Sequence, residues 1–285
     1  MEMLNPTNIS FDLPEGASAA GRGELDFEKV GNRTVLRRSY AKAPLRVLTP
    51  QNHGDASWVY TSNFGGGLVD GDQIDLRLRV RSEAKAVLLT QASTKVYRAP
   101  RGASQKLHAL VEGDASLLIL PDPLVCFTGS KFLQRQQIDL EARASLLLVD
   151  TVSSGRHASG ERWMFDRLKN QILVNRDGKP IFFESLLLDS KIGSIGERMG
   201  RFNAFCVVLL AGPEFQEAGK IIVNSIGSQS MRSRADLISA VSPLGSDATI
   251  LRMAAVSGEA LGLALREALQ FLPGYLGDSP WDRKW

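Results

Sequence analysis

Three segments of the chain carry one short pattern at a constant interval. They are Glu83-x-x-Ala86-x-Leu88-Leu89, Glu112-x-x-Ala115-x-Leu117-Leu118 and Glu141-x-x-Ala144-x-Leu146-Leu147, each 29 residues beyond the last. Every copy closes one strand pattern, turns at the Glu and its small or polar neighbours, and opens a continuous apolar run of the kind carried by strands buried on both faces. Recurrence on this scale marks units that bury their apolar faces only against neighbouring units. The expected fold is therefore mostly β: stacked hairpins in a β-solenoid-like body.

The strand ahead of the first copy is explicit. Ile74, Leu76, Leu78 and Val80 alternate with Asp75, Arg77, Arg79 and Arg81, the period of two expected of a strand with one apolar and one wet face. Before it, Gly65, Gly66 and Gly67, followed by Gly71 between Asp70 and Asp72, mark a tight bend. After the turn, Val87-Leu88-Leu89 runs into the polar cluster Thr90-Gln91-Ala92-Ser93-Thr94-Lys95, where core gives way to surface.

Residues 1–23 read as a loose N-terminal arm. Leu25, Phe27 and Val30, a turn at Gly31-Asn32, and Thr34-Val35-Leu36 predict a first hairpin. Asp177-Gly178 predicts another, between Ile172–Val174 and Ile181–Leu188. Two irregular loops follow the repeat copies, Pro121–Gly129 and Ser153–Arg162. Past residue 200 the pattern becomes strand, helix, strand, strand, helix. Pro213 suits a helix start, the two strands meet across Pro243-Leu244-Gly245, and Ser257 caps a helix with a stripe at Leu261, Leu265, Ala268 and Leu272. The chain 1–285 is expected to be a single domain, with a β-rich body over 24–200 and a smaller α/β C-terminal part over 201–285 carrying about two helices.

Composition removes several function classes. A net charge of +3 is too small for a protein that neutralises many phosphates, so no nucleic acid is expected as partner. No apolar run is long enough to cross a bilayer, and the first twenty residues lack the basic and apolar regions of a signal peptide, so no membrane is expected. Cys126 and Cys206 sit in apolar surroundings without a pairing pattern, which points to a reducing compartment and a cytoplasmic location.

Chemistry-bearing motifs are equally scarce. No GxxxxGK[ST] sequence, GxSxG elbow, HxxxH or CxxC occurs, which argues against nucleotide hydrolysis, a serine hydrolase and a tight structural metal site. With His53, His108 and His157 as the only histidines, no catalytic residue and no cofactor of the chain's own is expected. What remains is a set of loop donors: Asp70, Asp72, Lys95, Arg156, His157 and Glu161. Imidazole and carboxylate can both contact a divalent metal ion, while a buried salt-bridge network bracing the fold would use the same groups.

Two blocks carry a family resemblance. Gly66-Gly67-Leu68-Val69-Asp70-Gly71-Asp72 and Thr90-Gln91-Ala92-Ser93-Thr94-Lys95-Val96-Tyr97-Arg98 resemble the signature of the urease accessory protein family UreD, called UreH in some bacteria. Gly155-Arg156 through Gly160-Glu161 resembles a third block of that family. The resemblance implies a non-enzymatic scaffold that binds apo-urease and, with UreF and the GTPase UreG, supports nickel insertion into the urease active site. Nickel is then handled transiently, GTP is used by the partner, and the six loop residues become candidates for a nickel path or for partner docking. The rival reading is a carbohydrate-active or other hydrolytic enzyme on a β-solenoid, using Asp70 and Asp72 as acid and base. Aromatic residues at 7% are few for a groove that stacks sugars.

Overall fold

A computed structural model describes residues 19–51, 53–156, 159–228 and 234–282. In chain order the strands are β1 (Ala19–Val30), β2 (Arg33–Lys42), β3 (Leu45–Leu48), β4 (Ser57–Asn63), β5 (Asp72–Val80), β6 (Lys85–Thr90) and β7 (Thr94–Val96). Then come β8 (Ala99–Val111), β9 (Ser116–Leu120), β10 (Leu124–Cys126), β11 (Ser130–Leu140), β12 (Ser145–Ser153), β13 (Arg167–Arg176) and β14 (Lys179–Asp189). The last third adds α1 (Ile195–Met199), β15 (Ala204–Ala211), α2 (Gln216–Gly227), β16 (Leu237–Leu244), β17 (Ala248–Ala255), α3 (Gly258–Ala268) and α4 (Leu272–Leu276).

The strands form two sheets. The first runs β14-β13-β11-β8-β5-β1-β2, and the second β16-β17-β15-β12-β9-β6-β4-β3 with β7 and β10 attached to its side. The repeat units are not hairpins. β5 pairs in parallel with β1 and β8, while β6, which follows it, pairs in parallel with β4 and β9 in the other sheet. At each repeat the chain therefore crosses from one sheet to the other. The continuous apolar runs contain the physical reason: β6, β9 and β12 are covered on both faces, which suits central parallel strands and not the ribbons of hairpins.

Register refines the interval of 29. Leu117 lies opposite Leu146, as the repeat requires, but Ala86 lies opposite Leu117 and Leu88 opposite Ile119, a step of 31. At the turns the Ala84 N–H reaches the Arg81 carbonyl as Ala115 does Glu112 and Ala144 does Glu141, so Arg81 and not Glu83 stands at the equivalent site. A shift of two residues leaves every side chain on its original face. Leu88, Leu117 and Leu146 accordingly share the core between the sheets, and Leu89, Leu118 and Leu147 share the core behind the second sheet.

That second core is where α2 and α3 pack, burying Ile222 and Leu261 against Val208, Leu210 and Leu251. Gly219 permits the approach of α2, since a Cβ there would lie 2.6 Å from the Thr249 hydroxyl. The Ser257 hydroxyl accepts from the Ala260 N–H and starts α3 as its position suggests. The predicted hairpins at Gly31-Asn32 and Asp177-Gly178 both form.

Other expectations need correction. Strand β1 begins at Ala19, so part of the supposed arm belongs to the body, and residues 1–18 lie outside the described region. The C-terminal strands join the second sheet: β15 pairs antiparallel with β12 and carries β17 and β16 onward. Four α-helices occur among the described residues, two of them single turns. Strand β16 runs through Pro243, which its edge position tolerates because no ladder bond is lost there.

Candidate functional site

The three signature segments meet along one side of the body. Gly65, Gly66 and Gly71 adopt positive φ, and Gly67 lies flat against β7, where a Cβ would come within 2.7 Å of both the Lys95 carbonyl and the Tyr97 ring. That approach lets the Leu68 N–H donate to the Lys95 carbonyl and its own carbonyl accept from Tyr97. The ladder continues as Phe127 N–H donates to Val96 and as Thr128 N–H donates to the Glu161 carboxylate. The glycine loop, β7, the segment around β10 and the Gly155–Glu161 loop are thus stacked in sequence.

Within that stack the acidic groups hold the backbone. Asp72 is buried and accepts from the Val69 N–H, closing its own turn. Asp70 instead accepts from the Arg101 and Gly102 N–H groups and pairs with the Arg101 guanidinium, which with those bonds keeps its carboxyl below the usual range. The two carboxylates face different partners, which removes the pair the hydrolase reading needed. Lys95 contributes its carbonyl to the ladder and exposes its side chain.

Glu161 is 6% exposed and bonded to Thr128, with the Arg156 guanidinium 2.6 Å from its other oxygen. Burial acts to raise its pKa, but the Thr128 N–H and Arg156 outweigh burial and lower it. Arg156 also lies over the Phe127 ring at 4.6 Å, and Phe127 meets Tyr97 edge to face. These contacts tie three segments, at Tyr97, at Phe127–Thr128 and at Arg156 with Glu161, around one buried carboxylate. His157 lies outside the described residues.

A second polar feature lies inside the molecule. Two adjoining cavities of about 60 and 50 Å³ share Thr61, Leu76, Thr90, Thr94 and Gln105 as walls. One reaches the surface side at Gly66, Gly67, Ala92 and Ser93, and the other ends at Gln134, Gln136 and Asp150. Each has room for one or two water molecules. Asp150 is 4% exposed between the sheets and accepts from Gln134 Nε2 at 2.9 Å, Gln136 Nε2 at 3.4 Å and Asn170 Nδ2. Burial, with a smaller contribution from the Glu184 charge, pushes its carboxyl up to about 6 against the pull of those amides.

Asn170 Oδ1 is buried and accepts no hydrogen bond. Its amide nitrogen is fixed on the Asp150 carboxylate, and of the two residues only Asp150 lines the cavity. The remaining polar lining includes inward positions of several strands, Thr61 on β4, Thr90 on β6, Gln105 on β8 and Gln134 on β11, together with the charged residues Asp122 and Arg135. No group of three or more His, Cys, Asp or Glu residues able to hold a metal occurs among the described residues.

Sequence reasoning passed over Asp150, though a signal existed. It interrupts Leu146-Leu147-Leu148-Val149 ahead of Thr151-Val152, and a charge in a doubly buried strand is costly unless it has a use. Cys126 and Cys206 are buried thiols pushed up to about 12 by burial, which makes them inert. No described helix is long and apolar enough to cross a membrane.

Comparison with known proteins agrees with the stacked signature segments. The profile of the family described as UreD urease accessory protein matches residues 19–285. A urease accessory protein UreD of Sorangium cellulosum is 45% identical over 269 residues, covering 94% of this chain and 86% of its own. Its counterpart in an Anaeromyxobacter species is 37% identical, covering 99% and 95%, and urease accessory protein D of Arabidopsis thaliana is 32% identical, covering 91% and 99%. Matched over nearly its whole described length, the chain belongs to the UreD family of urease accessory proteins.

Proposed function

We propose that this protein is a non-enzymatic scaffold of urease maturation. It binds the urease apoprotein and, together with UreF and the GTPase UreG, supports delivery of nickel to the urease active site in the cytoplasm. Nickel is cargo in this reading, and GTP is consumed by the partner. The signature loops brace the side of the body at which the interior cavities open, and the cavities carry the ion inward to Asp150.

The observation that carries the reading is the Asp150 cradle. A carboxylate held between two sheets by neutral amides costs stability, and cavities of this size admit an ion or water but no glycan or peptide. Carboxylate and amide oxygens suit transient contact with Ni(II), since a site without imidazole or thiolate holds it weakly and releases it.

The test is co-purification from cells producing urease together with its accessory proteins. The wild-type chain should retain the urease apoprotein, and Asp150→Asn should retain it equally while urease nickel content falls. If wild-type chain fails to retain urease, the scaffold reading is wrong. Normal nickel content with Asp150→Asn would remove the interior path.

A further inference from the structure

The stacked loops concentrate charge as well as signature. Residues 64–72, 94–102, 124–131 and 155–164 together carry six basic residues, Lys95, Arg98, Arg101, Lys131, Arg156 and Arg162, against three acids. That excess equals the net charge of +3 of the whole chain. Each acid is already engaged: Asp72 is buried on the Val69 N–H, Asp70 holds Arg101 and Glu161 holds Arg156. The other four cations pair with no carboxylate among the described residues. Arg162 is bonded to Asn203 and to the Gly200 and Phe202 carbonyls, Lys131 Nζ donates to the Pro100 carbonyl at 2.7 Å, and Lys95 and Arg98 are exposed.

These groups adjoin one another. A Cβ at Gly67 would lie 3.0 Å from the Lys95 Cβ and one at Gly129 3.4 Å from the Arg98 Cγ, while the Gly129 N–H donates to the Met164 carbonyl. Apolar side chains stand out among the charges: Phe64 is 54% exposed, Val69 51% and Met164 53%. Arg46 lies over the Phe64 ring at 5.0 Å and adds a further cation. Arg, Met and aromatic side chains are the ones enriched in protein–protein contacts, and clustered exposed apolar groups mark an interaction site. The cationic excess selects a partner of opposite sign. A nucleic acid fits less well, because its binding draws on many phosphate contacts and here the few free cations are interrupted by apolar groups. The backbone beneath is fixed by the ladder from Leu68 to Glu161, so the surface is formed before a partner arrives and little ordering opposes binding.

We propose that this side is a docking surface for an acidic face of a protein partner: its carboxylates meet Lys95 and Arg98, and its apolar side chains cover Phe64, Val69 and Met164. The partner's membership of the urease assembly rests on the scaffold reading; the choice of surface and of partner chemistry does not. Charges that serve only solubility would leave every partner in place when reversed.

The test is retention of urease, UreF and UreG, each scored separately, on the tagged full-length chain from cells producing them all. Lys95→Glu combined with Arg98→Glu should lower retention of at least one of them about tenfold, whereas Lys95→Arg combined with Arg98→Lys should retain it. Raising salt from about 50 to 300 mM should weaken the same partner in the wild type and affect the charge-reversed variant less. Val69→Ser, which leaves every charge in place, should weaken that partner about threefold. The melting temperature should stay within about 2 °C in each; if charge reversal lowers it further, Val69→Ser decides alone. Wild-type retention of all three proteins in the charge-reversed variant refutes the surface and leaves the scaffold reading standing. Loss of binding to RNA or to anionic lipid vesicles, with every protein retained, refutes the surface as well. If the wild-type chain retains none of the three, the scaffold reading fails and the surface fails with it.

Discussion

Replacing Asp150 by Asn should make the protein more stable at neutral pH while making it a worse accessory protein. The carboxyl is raised from 3.8 to about 6 in the folded state, chiefly by burial. That shift of about two units corresponds to ~3 kcal/mol by which the folded state disfavours the charged form. The unfolded chain releases its proton near pH 4 and the folded one near pH 6, so between those values the folded state holds more protons and stability falls as pH rises. Above about pH 6 the whole penalty is present. Below pH 4 it is absent.

A neutral amide escapes the penalty but keeps one acceptor where the carboxylate had two. One neighbouring amide donor then loses its partner, at roughly 1 kcal/mol. Rotation of the Asn170 amide offsets part of this, because its unpartnered Oδ1 could then accept from the new amide. A net gain of about 2 kcal/mol at pH 7 should raise the melting temperature by about 4–8 °C, and the gain should shrink to nothing by pH 4. Thermal melts of both proteins at half-unit steps from pH 4 to 8 measure it. A loss of stability at pH 7, or a difference independent of pH, would refute the argument that Asp150 is an ionised, costly group.

The glycine contacts allow further tests. Gly67→Ala drives a Cβ against the Lys95 carbonyl and the Tyr97 ring and should cost about 1–3 kcal/mol, with exchange protection of the Leu68 and Tyr97 amides lost first. Gly54→Ala would put its Cβ 1.7 Å from the Leu276 carbonyl, so α4 must shift, and limited proteolysis should then cut near residues 272–278 in the variant alone. Glu161→Gln should destabilise by about 1–3 kcal/mol at pH 7 and weaken the stacked loops. Because its folded pKa is lowered, the wild-type advantage should persist above the normal Glu range and disappear as pH falls through it. An unchanged melting temperature would contradict the bracing role of the Arg156–Glu161 pair.

Local periodicity made much of this fold legible, and what escaped it was pairing. Ile74 to Val80 had to be a strand with one buried face, and Ser257 had to start a helix, because both statements depend on residues close in sequence. Whether β5 would pair with β6 or with β8 depends on contacts some 30 residues away, and a turn of a few residues serves a hairpin or a crossing between sheets. The double burial of Val87-Leu88-Leu89 was the available clue, since the ribbons of a hairpin seldom cover both faces of a strand. Likewise a step of 31 could pass for 29 because strands register alternation and are blind to a slip of two.

The site divides along the same line. Gly67 and Leu68 were readable because close backbone contact demands residues of that kind at fixed positions. Asp70, Asp72 and Glu161 were readable as charged groups, but a carboxylate that accepts backbone N–H bonds has the same letter as one that binds an ion. The structure separates them by what each one touches. Glu161 has a guanidinium and an N–H, so its ionised state is stabilised where it sits and its retention needs no function. Asp150 has three neutral amides and a raised pKa, so its charge opposes folding. The carboxylate that fails to repay its burial within the isolated chain is Asp150, which is why the proposed nickel path runs through the interior and not through the conspicuous loops.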